Sequence, residues 1–452
     1  MPSDDRPDLS ALTDALLGAA RKAGAEAADA LAVDGASTSV DVLKGRLEQA
    51  ERSEGIEIGL RVLIGRRQAC VSASDASART MAEMAERAVA MAREAPEDPN
   101  VGLAEPGQLA RGWDAAALDL VDGAEASSPA ALQDMAARAE AAALAIDGIS
   151  QVGSAGASHG DRRIHLAATN GFSGGYRRTG TSLSCVAITG SGTGMERDYY
   201  GDSRVHLADL DDPETVGRIA AERTIARRGA SKPPTGAFPV LYDERVSGQL
   251  IGHLLGAING SSVARGASFL RDAMGEAVLP EALTLTEDPT LPRIAGSKPF
   301  DAEGLATAPR DLVRDGVLQG WVLDLGTGRK LGLESTANAA RGTGGPPAPS
   351  AGNVRLTQGA RSRDDLMREM GTGLLVTSMI GSSINPTTGH YSRGASGFWV
   401  ENGEIVRPVN ECTVAGNLRD MLRTLVPAND ARMHVGRQVP SLLVEGLTIA
   451  GG

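Results

Sequence analysis

Aromatic side chains are scarce in this sequence: three Trp, five Tyr and five Phe make up 3% of its 452 residues. Stacking on single-stranded nucleic acid needs such rings, so that class of binding is disfavoured, and the cores must be built from Ala, Leu, Val and Ile. Positive charge is also short, with 45 Lys and Arg against 57 Asp and Glu and a formal net charge of -12. A surface of that sign repels phosphate backbones and anionic lipids, which argues against nucleic-acid and membrane partners. The basic pairs Arg162-Arg163 and Arg227-Arg228 are too short to reverse this and are expected to be solvated. No run approaches the roughly 20 apolar residues of a membrane helix. The opening MPSDDRPDLS lacks the basic and apolar regions of a secretory leader. Three cysteines, Cys70, Cys185 and Cys412, lie far apart and fit no zinc or redox spacing, so buried thiols in a reducing cytoplasm are expected.

What is present is enough for packed cores: 42% of residues are hydrophobic and 23% charged. The length favours two or three domains. Leu9, Leu12, Leu16 and Leu17 put one apolar stripe on a first helix, with Gly24 near its end. Alternating segments follow at Thr38 to Val42, Ile56 to Ile64 and Gln68 to Ser72, and a second helix carries Met81, Met84, Ala88 and Met91 on one face behind an Asp75 cap. Residues 96–128 are rich in Pro and Gly and form a connector. The layout then recurs, with Ser128-Pro129 opening a helix, strand-like segments at Ile149 to Ala155, Arg163 to Ala168 and Ser182 to Thr189, an Asn170-Gly171 turn, and a closing helix from Pro213.

The fold class is therefore α+β: two helix/antiparallel-sheet units, 1–95 and 129–230, then a larger β-rich C-terminal domain over 236–452. In that last part Asp315-Gly316 and Asn402-Gly403 mark hairpins, and the Gly342 to Gly352 loop is expected to be a mobile crossing.

Chemistry is harder to place. None of the six histidines pairs with another at helical spacing. Gly190 to Gly194 resembles a phosphate loop but has no following Gly-Lys-Ser/Thr, so it is expected to be a hairpin tip. Asp301, Glu303, Asp311 and Asp315 are expected to be solvated turn residues rather than a carboxylate centre. Ser261-Ser262 lacks the Gly-x-Ser-x-Gly elbow, and neither Ser261 nor Cys412 has His and acid partners at a recognisable spacing.

The stretch from Tyr242 to Leu270, YDERVSGQLIGHLLGAINGSSVARGASFL, with ESTANAAR (Glu334 to Arg341), resembles the TldD/PmbA family. The tail is similar throughout, in GLLVTSMIGSSINPTTGHYSRGASGFWVENGEI (Gly373 to Ile405), TVAGNLRDML (Thr413 to Leu422) and PSLLVEGLTIAGG (Pro440 to Gly452). The resemblance implies one of two paralogous subunits of a cytoplasmic heterodimeric metallopeptidase that acts on unfolded or small peptides. The catalytic TldD type carries His-Glu-x-x-x-His on its central helix and a Cys ligand near its C-terminus. With Gly248 and Gly256 holding the register, those three positions are Gly252, His253 and Ala257 here, and Pro427 to Gln438 contains no Cys.

That is the pattern of the non-catalytic PmbA (TldE) subunit. No catalytic or metal residue is expected in this chain, zinc is expected in a TldD-type partner, and a homodimer could form in isolation. Leu250, Ile251, Leu254, Leu255 and Ile258 would bury one face of the helix, while Gly252 and Gly256 would admit another backbone. Asn259, Arg265, Ser268, Tyr391 and Arg393 are the candidates for lining a substrate chamber, with helix capping as the alternative use of each. The competing expectation is a stand-alone binding protein acting on another target, such as DNA gyrase.

Overall fold

The computed structural model describes residues 6–451, so the ends of the outer expected units lie outside the described residues. Helix α1 (Leu9–Ala23) starts where the Asp8 carboxylate accepts the Ser10 and Ala11 N–H groups, and stops at Gly24 in the left-handed conformation. Strands β1 (Ala27–Leu43), β2 (Arg46–Ile64) and β3 (Arg67–Ala73) and helix α2 (Ala78–Glu94) complete the first unit. The α2 cap is Ser77, with Asp75 bonded to Ser77 and Thr80 behind it, rather than Asp75 itself. The second unit has the same order: α3 (Pro129–Leu144), β4 (Ile149–Ala168), β5 (Ser173–Thr189), β6 (Glu196–Arg204) and α4 (Pro213–Ala226). The Gly190 to Gly194 segment is the β5–β6 connection, whereas β6 itself carries too little hydrophobic alternation to be seen in the sequence.

The two units share one antiparallel sheet in the order β3-β2-β1-β4-β5-β6. Their central strands are much longer than the alternating segments suggest, because long stretches of small and polar residues continue the ladder. Gly35 pairs with Gly55 in one unit, and Gly160 with Gly180 in the other. The units are also stapled at the β1–β2 turn, where the buried Glu140 carboxylate of α3 accepts the Lys44 and Gly45 N–H groups at 2.6 and 2.7 Å. Helices cover one face of the sheet through two apolar clusters, both rich in Ala, the first with Leu and Met added. The opposite face meets the connector and the C-terminal part, with Leu31, Val33 and Leu166 packed on Phe172, Ala110 and Phe300.

The C-terminal part begins with β7 (Gly236–Tyr242), α5 (Glu244–Ala257) and α6 (Gly260–Ala264). Short strands β8 (Leu285–Glu287), β9 (Arg310–Arg314) and β10 (Val317–Leu318), helix α7 (Leu325–Leu331), and β11 (Ala339–Ala340), β12 (Ala348–Pro349) and β13 (Val354–Leu356) follow. Then come α8 (Arg363–Met370), the long β14 (Gly373–Ile384), β15 (His390–Glu401) and β16 (Glu404–Asn417), α9 (Leu418–Thr424), β17 (Val426–Pro427), β18 (Arg437–Gln438) and β19 (Leu442–Ala450). A mixed sheet in the order β16-β15-β14-β7-β19-β17 holds this part, with β16 also pairing to β19. The hairpin turns at Asp315-Gly316 and Asn402-Gly403 have both residues at positive φ, as two-residue turns of this hand require. No helix among the described residues is long and apolar enough to cross a membrane.

Three expectations are corrected by tertiary contacts. The Gly342 to Gly352 loop is pinned to the sheet: Thr343 backbone fills the space above Gly59, and its hydroxyl donates to Glu57 at 3.2 Å. Asp301 and Glu303 are buried rather than solvated, and only Asp315 keeps an exposed turn position. Neither basic pair is wholly solvated surface, because Arg163 bonds Asp34 at 2.7 Å and Arg227 lies within 3.6 Å of both Glu196 and Asp198.

Candidate functional site

Helix α5 is built as its sequence demands. Asp243 caps it by accepting the Arg245 N–H, and Val246, Leu250, Ile251, Leu254 and Leu255 enter the main C-terminal core. Its first turn is also fixed from outside, since Arg245 reaches Asp198 on β6 at 3.2 Å and Arg363 reaches Asp243 at 3.1 Å. The helix therefore sits at a set position relative to the N-terminal sheet. It ends at Ile258, and Asn259 starts the separate five-residue α6, so Gly248 to Ser268 is a broken helix rather than one continuous element.

The glycine-bearing face of α5 does not receive another backbone. A methyl group added to Gly252 would lie 2.9 Å from Arg437 Nη1, whereas one added to Gly256 would meet nothing within 4 Å. Beside Gly252 stands the half-buried His253, whose Nε2 has no hydrogen-bond partner among the described residues. Its ring meets Tyr391 edge to face at 5.9 Å. Burial, reinforced by the cations Arg393 and Arg437, pulls the imidazole down to about 4, so it is neutral at physiological pH. Tyr242, in the same core and with the Tyr391 hydroxyl as neighbour, is fully buried, and burial raises its phenol well above its ordinary range.

The remaining chamber candidates separate. Tyr391 is buried and its hydroxyl donates to Met379 Sδ, while Arg393 joins α5 to β15 by donating to Gln249 at 2.6 Å and to the Gly381 carbonyl at 2.7 Å. Asn259 caps α6 and donates to the Pro349 carbonyl at 2.7 Å. Ser268 is buried, donating to the Ala257 carbonyl and accepting the Leu270 N–H. Arg265 is exposed and lies in a different cleft, with Ser261, Lys330 and Glu303. The structure thus brings His253, Tyr391 and Arg393 together, spends Asn259 and Ser268 on backbone, and sets Arg265 apart.

Two other chemistries find no support in the local geometry. Cys412 donates to the Ala395 carbonyl at 3.2 Å, and burial pushes its thiol up to about 11, far from a reactive thiolate. Ser261 sits in the first turn of α6, its N–H taken by Asn259. Among the described residues no three His, Cys, Asp or Glu side chains cluster as metal donors. Arg437, the side chain nearest the motif position at Gly252, carried no signal in the sequence, because its strand of two residues reaches α5 only through the tertiary fold.

A capped, core-packed helix beside a mixed sheet, preceded by two antiparallel units that share one sheet, makes this an α+β chain. Three family models run along it: PmbA/TldA metallopeptidase domain 1 over residues 28–92, the central domain over 122–228 and the C-terminal domain over 235–451. The chain belongs to the TldD/PmbA family. Metalloprotease PmbA of Escherichia coli O157:H7 is 39% identical over 416 residues, covering 91% of this chain and 90% of its own length. A PmbA homolog of Haemophilus influenzae is 36% identical over 96% of this chain and 94% of its own. A solved structure from Bacteroides thetaiotaomicron that carries a legacy gyrase-modulator name matches both chains over 100% of their length, with a TM-score of 0.91 and 26% identity. TldE from Thermococcus kodakarensis shares the fold, with a TM-score of 0.86 over 97% of this chain and 100% of its own, at 21% identity.

Proposed function

We propose that this chain is the non-catalytic, PmbA/TldE-type subunit of a cytoplasmic heterodimeric metallopeptidase, acting as scaffold and peptide guide beside a zinc-bearing TldD-type partner. The observation that carries this reading is the α5 face itself. Gly252, His253 and Ala257 stand where the family motif has its ligands and general base, and the Arg437 guanidinium lies against Gly252. A cation beside the vacant ligand position opposes a dication there by direct repulsion. His253, neutral and with its Nε2 unpartnered among the described residues, packs edge-on against Tyr391, which suits a space-filling role better than the activation of water. Arg393 and Arg437 leave positive charge beside this helix, which suits the carboxylates and carbonyls of a peptide.

The test is reconstitution. Mixing the purified chain with its TldD-type partner should give a peptidase that chelator abolishes and zinc restores, while this chain alone stays inactive. Chelator-sensitive peptidase activity in the isolated chain, or stoichiometric zinc bound to it, would sink the proposal. A partner pull-down that recovers another target and never a TldD-type subunit would favour the stand-alone binding role.

A further inference from the structure

A second site lies away from α5, where the sheet face meets the C-terminal part. Between them is a cavity of about 290 Å³. Leu31, Val33, Ile164 and Leu166 of the sheet form apolar walls, and Tyr176 and Phe300 add ring faces or edges, packed on one another at 5.6 Å. Four cationic side chains line the same space: Arg162, Arg178, Lys298 and Arg341.

Their bonding is incomplete in a consistent way. Arg341 is 1% exposed and pairs with Asp29 through Nη1, yet its buried Nε has no acceptor among the described residues. Arg178 spends Nη1 on the Ala295 carbonyl and Nη2 on the Tyr176 hydroxyl, and its buried Nε also has no acceptor among the described residues. Lys298 is half-buried and donates to the Ala339 carbonyl at a long 3.3 Å. Arg162 is exposed and makes no ion pair among the described residues. The anion lining the cavity, Asp301, is already engaged, accepting the Glu303 and Leu305 N–H groups at one oxygen and the Ala339 N–H at the other. The two Nε atoms are closed off even from water and cannot themselves meet a ligand; what is turned to the cavity is an excess of cations, Arg162 without an ion pair among the described residues and Lys298 on one long bond, against a single carboxylate already engaged, and that excess favours an acceptor of opposite charge.

We infer that this cavity binds a carboxylate carried on an apolar, aromatic-sized body, such as the C-terminal residue of a short peptide or a free apolar carboxylic acid. The guanidinium and ammonium donors match carboxylate oxygens, and the walls and rings take the apolar part. The volume falls at the small end of ligand pockets, enough for a single residue rather than a folded segment. Arg341 ends the ESTANAAR segment, so one of the stretches most typical of the family supplies a cavity wall and not the α5 face. The inference concerns this chain alone and does not depend on the catalytic partner.

Calorimetric titration of the full chain with N-acetylphenylalanine, its amide, the tripeptide Ala-Ala-Phe and inorganic phosphate tests it. The acid should bind, with the amide and phosphate each at least tenfold weaker, and Arg162→Gln and Lys298→Gln should each weaken the acid several-fold while leaving the amide unchanged. Tighter binding of the tripeptide than of the small acid would identify a peptide end as the source, and the reverse order a free acid. Equal binding of acid and amide, phosphate binding as tight as the acid, or no heat with any probe at millimolar concentration would overturn the inference. If Lys298→Gln fails to fold, the acid-against-amide comparison on the unaltered chain still decides.

Discussion

The interface between the N-terminal sheet and the C-terminal part, and the glycine face of α5, use the same residue types to opposite ends. At the interface, buried Asp29 is held by both Arg61 and Arg341, and Gly59 is glycine because Thr343 backbone occupies the place of its side chain, with a carbonyl oxygen 2.2 Å from where a Cβ would be. On α5, Gly256 faces open space and Gly252 only the tip of a flexible arginine, while Arg437 makes no ion pair among the described residues. Around Asp29 and Gly59, filled glycine space and paired charges mark a finished contact within one chain, unlike the cavity beside it. Open glycines beside an unpaired cation mark a surface with room for another molecule.

Two titrating groups sharpen the contrast, since burial drives both toward neutrality from opposite sides. At the interface, burial next to Asp301 raises Glu303 to about 8, whereas burial near Arg393 and Arg437 lowers His253 to about 4.

The largest expected effect comes from breaking the finished contact. Arg341→Ala leaves Asp29 buried with half its compensation and should cost about 3–5 kcal/mol of unfolding free energy, measured by denaturant titration. A cost below that of an ordinary surface change would show the interface charges to be dispensable. Next, Gly59→Val must push Thr343 away and should destabilise by about 1–3 kcal/mol, while loosening the Gly342 to Gly352 loop to proteolysis. An unchanged digestion pattern would contradict the pinned loop.

The pH dependences should run in opposite directions. Between an unfolded value of 4.5 and about 8 the folded chain holds the Glu303 proton that the unfolded chain has lost, so stability falls as pH rises through this window. Glu303→Gln should remove that fall. Between about 4 and 6.5 the unfolded chain binds the His253 proton that the folded chain refuses, so stability falls as pH drops. His253→Gln should flatten this second slope, by a smaller amount because the imidazole is only partly shielded from solvent. Slopes unchanged by the two substitutions would mean that other groups set the pH response. The smallest effect is Gly256→Ala, which should stabilise the isolated chain by up to about 1 kcal/mol as a helix-favouring change in open space. If the open face is where the partner docks, the same change should weaken assembly with the TldD-type subunit, and undiminished assembly would separate the two.

Several features were legible from the chain alone for local reasons. The Leu stripe and Gly24 define α1, Ser128-Pro129 starts α3, and Asn402-Gly403 turns the β15–β16 hairpin, because each depends on neighbours within one or two turns of chain. The burial of Asp301 and Glu303, the pinned loop and the Arg227 pairs were not legible, since hydrophobic periodicity carries no record of which polar side chain will meet a partner far along the chain.

The sequence by itself thus determined the α+β class and the helical starts and turns, which follow from backbone preference and residue identity at short range. Only the tertiary structure decided that the two N-terminal units share one sheet, that Arg437 lies beside Gly252, and that Arg178, Lys298 and Arg341 converge on one cavity. Those outcomes depend on charges and backbones brought together across more than a hundred residues, where the cost of leaving a buried ion or polar group unpaired selects the arrangement.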